Sequence, residues 1–320
     1  MTFRSRLAIV ALLAAAAGCG GASGSDSTPV APATPATKPV SSPSVPTEPT
    51  TIGPFAKPTN TDVPTTPTEV ALDVSQPSEP NVPPASSEMC RTITSLGPQW
   101  TPVGSSVQNR PLLARRFRGP GPTVLWIGGI HGDEPEGAVG TEALPTELSS
   151  GGITNIDLLQ IQDSNPDGRS AKTRGNANGI DLNRNFPTSN FDPNNPKYGK
   201  TPLSQPESRL LFDVITASKP ALIVVLHSWS NKSFVNFDGP ATEYAGIWSK
   251  ESSMEVVGSD GLGKKTPGSL GTWAGIENEI PILTVEYRNG EGAESAWNRS
   301  KKAALETLRS VPADASRSTC

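Results

Sequence analysis

The chain has 320 residues, a net charge of −4 and 33 prolines. It carries no basic block beyond short pairs, which argues against a nucleic-acid partner held by phosphate neutralisation. The prolines are unevenly spread: fifteen lie between Gly20 and Glu88, and the remainder of the chain is long enough for one sizeable core.

In chain order, Arg4 and Arg6 precede an apolar run, Leu7 to Ala17, that ends in Gly18-Cys19. That run falls short of the roughly 20 apolar residues a membrane span needs, so the basic flank and short apolar core predict a secretory signal. The sequence AAGC followed by GGASGSDS resembles a bacterial lipoprotein signal, in which the cysteine is lipidated and becomes the mature N-terminus. The resemblance implies a signal peptide over 1–18, lipid on Cys19, and an extracytoplasmic protein anchored to a bacterial cell membrane. An ordinary signal peptide with an incidental Cys19 is the alternative. Residues 19–88 are dominated by Pro, Thr, Ser, Ala and Val. Such a segment cannot bury enough apolar surface to offset its ordering entropy, which predicts a disordered linker. A folded domain is expected over 89–320. With Cys19 assigned to lipid, Cys90 and Cys320 remain as an even pair in an oxidising compartment. A disulfide between them would staple the two edges of the domain; two unpaired thiols are the alternative.

Within the domain, strand-like and helix-like segments alternate. Leu112 to Arg118 and Thr123 to Gly129 read as neighbouring strands joined across Gly119-Pro120-Gly121-Pro122, and a helix is expected from Glu134 into the 140s. Ile156 to Ile161 is the next strand, and a long polar loop follows from Asp163 to Leu203. Such loops are rare unless functional. SQPES then reads as a helix start, with Ser204 as N-cap, Glu207 as its capping-box partner and Pro206 in the first turn. Its apolar face is Leu210, Leu211, Val214 and Ile215. Ala221 to Leu226 is a continuous apolar run suited to a strand buried on both faces, and Pro281 to Val285 is another. A final helix is expected from Gly292 to Arg309. The pattern predicts an α/β fold: a mixed, mostly parallel central sheet with helices on both faces.

Both histidines of the chain fall at strand ends, His131 just after one apolar run and His227 just after another. Sites in open α/β sheets form at the carboxyl ends of strands. Glu134 follows His131 by three residues, close enough for a turn to bring its carboxylate beside the imidazole. Two histidines and a glutamate form a catalytic zinc set that leaves one position for water. Glu286, at the end of ILTVEY, is the natural base for that water. Each residue has a blander reading alone: a surface His–Glu pair, a buried histidine bonded to backbone, a glutamate paired with Arg288. Their joint placement at strand ends favours the metal.

HGDE, NPDG, GIDLNRNFP, LHSW and TVEY, in that order, resemble the zinc carboxypeptidase family, and GGIHGDEPEG, NANGIDLNRNFP and GSLGTWAG are similar to its murein peptide amidase branch. The resemblance implies one zinc per chain held by His131, Glu134 and His227, with Glu286 as general base. Asn183 and Arg184 match the pair that grips the substrate's terminal carboxylate, a task suited to the guanidinium fork. Asp181 matches the carboxylate that receives the other ring N–H of the first histidine. Arg174 is the counterpart of the oxyanion arginine, with Arg169 as the competing choice. The position that sets side-chain preference falls on Gly271, which offers neither an apolar floor nor a countercharge. No tyrosine matches the mobile one of the digestive enzymes, so proton donation falls to Glu286. The implied function is a zinc-dependent hydrolase of a C-terminal amide or peptide bond in a peptidoglycan-derived peptide, of the γ-D-glutamyl-meso-diaminopimelate amidase type, working as a monomer. The alternatives are a metallocarboxypeptidase on ordinary peptides, an N-acyl amino acid deacylase, and a non-catalytic wall-binding lipoprotein.

Overall fold

The computed structural model describes residues 87–258, 266–315 and 320. The expected signal peptide, Cys19 and nearly all of the linker lie outside the described residues. The elements are α1 (Ser87–Ser95), β1 (Thr101–Ser105), β2 (Pro111–Phe117), β3 (Thr123–Ile127), α2 (Ala138–Ser150), β4 (Asp157–Ile161), α3 (Pro166–Ala171), α4 (Pro206–Ser218), β5 (Leu222–Trp229), β6 (Phe234–Asp238), α5 (Thr242–Ser252), β7 (Glu255–Gly258), β8 (Ile282–Arg288) and α6 (Ala293–Arg309). A 3₁₀ turn at Leu182–Arg184 and a π-helical segment at Gly271–Glu277 complete the set.

Eight strands form one sheet in the order β1-β2-β4-β3-β5-β8-β6-β7. The centre, β4-β3-β5-β8, is parallel throughout, and β6 and β2 flank it antiparallel. The fold is therefore α/β with a mixed, mostly parallel sheet. The central strands are mostly apolar and are buried along nearly their whole length because both faces are covered. In β3, Val124 and Trp126 enter one core with Leu144 of α2, Trp248 of α5 and Trp297 of α6. Leu125 and Ile127 enter the opposite core with Ile93 of α1 and Leu210, Leu211, Val214 and Ile215 of α4. The apolar face expected for α4 is the one it buries.

Four sequence expectations need correction. First, β2 and β3 are not neighbours, because β4 lies between them. The Gly-Pro-Gly-Pro link runs along the start of β4 instead of turning back. Asp157 N–H donates to Pro122 O at 2.9 Å, and a Cβ on Gly119 or Gly121 would strike backbone at Ile156 or Asn155. Its prolines also lack the N–H groups a hairpin ladder would use. Second, the helix expected from Glu134 starts at Ala138, and the intervening residues form turns. Third, no capping box opens α4. Glu207 is fully buried and accepts instead from Val107 N–H at 3.1 Å and Asn176 Nδ2 at 3.0 Å, while Ser204 Oγ accepts from Asn185 Nδ2 at 3.0 Å. Tertiary partners outcompete the local cap. Fourth, His227 lies within β5 and not beyond it, where it is paired in register with Glu286 of β8.

Cys90 of α1 and Cys320 form a disulfide with a Cα–Cα distance of 5.1 Å, across a sequence separation of 230. Arg116 Nη1 donates to Cys320 O at 2.8 Å, and the same guanidinium is buried against Asp157.

Candidate metal centre and active site

β3 delivers the chain to the HGDE turn, in which Glu134 N–H donates to His131 O at 3.4 Å. β5, the parallel neighbour of β3, carries His227. The result is a convergence of electron-pair donors. His131 Nδ1 lies 2.9 Å from Glu134 Oε1, His227 Nδ1 lies 3.0 Å from Glu134 Oε2, and the two Nδ1 atoms are 3.1 Å apart. Candidate ligand atoms of all three residues fall within 4.8 Å of one another, and all three residues are buried. Facing nitrogens at that spacing cannot both carry a proton. A cation resolves the conflict, and two imidazoles with one carboxylate suit zinc.

The surroundings orient these donors. His131 Nε2 lies 3.1 Å from Asp181 Oδ1, which leaves Nδ1 directed at the site. Arg174 bridges the two acids, donating from Nε to Asp181 Oδ2 at 2.8 Å and from Nη1 to Glu134 Oε1 at 3.0 Å. Ser228 N–H donates to Glu134 Oε2 at 3.0 Å. Burial opposes charge on Glu134 and Asp181, but the imidazoles hold both carboxyls well below the usual carboxylate range, with Arg174 adding to the effect on Asp181.

Glu286 reaches the same cavity by the β5–β8 pairing. It is 8 % exposed, and its Oε2 is buried without a hydrogen-bond partner. Burial, and next the Glu134 charge, push its carboxyl up to about 8. A group tuned to that range is suited to accept and return a proton near neutrality.

The cavity, about 220 Å³, brings together His131, Glu134, Arg174, Asn183, Arg184, His227, Gly271 and Glu286. Asp181 stands directly behind His131. Arg169 is not on the cavity wall and pairs with Asp163 at 3.3 Å, so of the two arginines Arg174 is the one at the site. The 3₁₀ turn that carries Asn183 and Arg184 is capped by Asp181, whose Oδ1 accepts from Asn183 N–H at 3.0 Å. Asn183 Oδ1 accepts from Leu270 N–H at 2.8 Å, and its Nδ2 lies 3.5 Å from His227 Nε2. The side chain therefore presents its NH₂ donors towards the cavity, the polarity a carboxylate requires.

Sequence reasoning missed part of the wall. Asn236 and Asp238 of β6, Ser269, Thr284 and Tyr198 all line the cavity. The consequential one is Asp238. A Cβ on Gly271 would meet Asp238 Oδ2 at 2.2 Å, and one on Gly275 would meet Asp238 Cβ at 2.5 Å. Two glycines four apart in the π-helical segment thus make room for this carboxylate. Gly271 itself brings neither an apolar floor nor a charge; the carboxylate that sequence reasoning did not find is Asp238, which occupies the space beside it. One signal was available, since FVNFD alternates so that Asn236 and Asp238 share a face.

A buried two-histidine, one-glutamate site at the carboxyl edge of a parallel sheet, with an acid on the neighbouring strand, defines a metallohydrolase. The zinc carboxypeptidase profile matches residues 88–255, more than half of the chain, and the chain belongs to that family. Among its relatives, murein peptide amidase A of Vibrio campbellii is 31 % identical over 208 residues, covering 58 % of this chain and 78 % of the relative. The murein peptide amidase A of Escherichia coli K12 is 29 % identical over 178 residues, covering 51 % and 70 %. The crystal structure of murein-tripeptide amidase from Escherichia coli O157 aligns with a TM-score of 0.53 at 24 % identity, over 70 % of this chain and 97 % of that one. Carboxypeptidase A from Helicoverpa armigera aligns with a TM-score of 0.54 at 17 % identity, over 69 % and 71 %. These two structures share the fold. Gly271 and Glu286 lie beyond the matched segment, and it is the fold that returns them to the site.

Proposed function

We propose that the protein is a zinc-dependent amidase that removes a C-terminal diaminopimelate-type residue from murein peptides, cutting the bond between γ-D-glutamate and meso-diaminopimelate. The observation that carries this reading is the pairing, in one cavity, of the Asn183 and Arg184 donors with the Asp238 carboxylate. A leaving residue with both a free carboxylate and a cationic side chain matches that charge distribution, and the relatives named murein peptide amidase A point to the same substrate class.

In this reading His131, Glu134 and His227 hold the zinc. When bound, zinc acidifies water and polarises the scissile carbonyl. Glu286 accepts the proton of the attacking water and returns it to the departing amine. Arg174 lines the cavity and keeps N–H groups beyond those given to Asp181 and Glu134, which in this reading stabilise the oxygen on which negative charge develops. Asn183 and Arg184 hold the leaving residue's carboxylate, which keeps the scissile bond in place.

The Asp238 carboxylate also suits peptides ending in lysine or arginine, so a general metallocarboxypeptidase is the second reading. The deciding experiment compares L-Ala-γ-D-Glu-meso-diaminopimelate with a peptide ending in α-linked lysine, using the zinc-loaded protein. Preference for the γ-linked tripeptide supports the amidase, and preference for the α-linked peptide overturns it.

The same proposal covers the chain's organisation: a signal over 1–18, lipid on Cys19, a tether over 19–88 and the catalytic domain over 89–320, outside a bacterial cell membrane. Its support is the Arg4-to-Cys19 pattern and the proline-rich composition that follows. Cys19→Ala should move the protein from the membrane fraction to the soluble one with its specific activity on small peptides unchanged. Unchanged membrane association would overturn the lipid assignment.

A further inference from the structure

Glu136 has no part in the chemistry above, yet it is 2 % exposed and lies two residues beyond Glu134. Its two oxygens accept from the ends of two different strands. Ser228 Oγ–H donates to Oε2, and Gly290 N–H donates to Oε1 at 2.8 Å. Ser228 follows His227 on β5, and its own N–H donates to Glu134 Oε2 at 3.0 Å. Gly290 lies in the turn after β8, four residues beyond Glu286. That turn is fixed on both sides: Asn289 N–H donates to Trp229 O at 2.8 Å, and Glu291 pairs with Arg299 of α6.

Among the described residues no lysine or arginine pairs with Glu136; its hydrogen-bond partners there are two neutral donors. A buried carboxylate without a countercharge is costly, and packing alone would be served at least as well by an apolar side chain. The arrangement does something packing cannot. The β5–β8 ladder already fixes His227 against Glu286. It does not fix Glu134, which rides on a turn outside the sheet. Glu136 is the group that connects that turn to both strand ends at once.

We propose that Glu136 is a positioning residue that ties the Glu134 turn to the ends of β5 and β8, and so holds the metal-binding carboxylate in register with His227 and Glu286. The inference rests on the roles proposed for those three residues. It acts through Ser228, whose hydroxyl is held by Glu136 while its N–H orients Glu134.

The test uses zinc-loaded protein and three variants, Glu136→Ala, Glu136→Gln and Ser228→Ala, with zinc affinity measured by chelator competition alongside kcat and KM. Loss of such supporting hydrogen bonds typically costs about 10- to 100-fold in metal affinity or activity. Glu136→Ala is expected to weaken zinc by that factor and to lower kcat with KM unchanged. In Glu136→Gln, Oε1 can still accept from Gly290 N–H and Nε2 can donate to Ser228 Oγ, so zinc affinity should return to near wild type. Ser228→Ala removes one arm only and should fall between. It also keeps the idea testable if Glu136→Ala does not fold. Wild-type zinc affinity in Glu136→Ala or Ser228→Ala, or a Gln variant as impaired as the Ala variant, would overturn the inference. A protein that binds zinc but leaves murein peptides uncut would overturn the proposed substrate and not this inference, because metal affinity is its readout. Full zinc retention in His227→Ala would overturn the ligand set and this inference together.

Discussion

Replacing Asp238 with asparagine removes one charge from the cavity wall and changes little else in shape. Two unit charges 4 Å apart interact by about 4 kcal/mol at the dielectric typical of a protein surface, and by about 1 kcal/mol in water. Asp238 is 8 % exposed, which places it nearer the first limit. The incoming ammonium must shed water, so the net value is that of a hydrogen bond to a charged group, about 1.5–3 kcal/mol. At about 1.4 kcal/mol per decade this is roughly 10- to 100-fold. The assay is the ratio of kcat/KM for a substrate whose leaving residue carries a free side-chain amine to that for its N-acetylated counterpart. Asp238→Asn should lower that ratio by roughly 10- to 100-fold, chiefly through the free-amine substrate. Gly271→Ala is the companion variant. Its Cβ would stand 2.2 Å from Asp238 Oδ2, so the carboxylate must move while its charge remains. The same loss of ratio there would show that position matters as well as charge. A ratio unchanged within about twofold in Asp238→Asn would refute the assignment of this carboxylate to the leaving side chain, since even the low end of the range is near tenfold.

Glu286→Gln should retain stoichiometric zinc by metal analysis and lose about 10²- to 10⁴-fold in kcat, as expected for a general base; turnover near wild type would remove it from that role. Amidating the substrate's terminal carboxylate should cost about as much kcat/KM as Arg184→Ala, and the two together little more than either; fully additive losses would mean that the groups do not interact. Replacing Cys90 and Cys320 with alanine should destabilise the domain by about 2–5 kcal/mol in reversible denaturant unfolding, because the link constrains a very long loop in the unfolded chain. A double variant as stable as the parent would show that the contacts of α1 alone hold that edge.

The central strands were legible because their burial is symmetrical. β3 and β5 are apolar almost throughout, since helices cover both faces, and a continuous short apolar run reports that condition directly. The metal set was legible for a different reason. The chain has two histidines, both at the ends of such runs, and the chemistry of zinc admits few other residue types. Strand order was not legible. β2 and β3 are close in sequence, but β4 enters between them after the crossover through α2, and no local pattern in either strand encodes that neighbour. The start of α4 shows the same limit: SQPES carries the local capping signal, yet Glu207 is drawn to Val107 and Asn176, far off in the chain.

By itself, then, the sequence determined the central strands, the helices α4 and α6, the apolar face that α4 buries, and which side chains can carry zinc chemistry; it did not mark α1, α3, α5, β1, β6 or β7. Those properties follow from periodicity and from the donor atoms of single residues. Tertiary structure alone decided that β8 pairs with β5 and so puts Glu286 beside the ligands, that Arg174 and not Arg169 reaches them, and that Asp238 fills the space left by Gly271. Each of these joins residues far apart in the chain or chooses between near-equivalent ones. Such proximity is set by how the sheet pairs and how its faces are packed, and a local window of sequence contains no term for either.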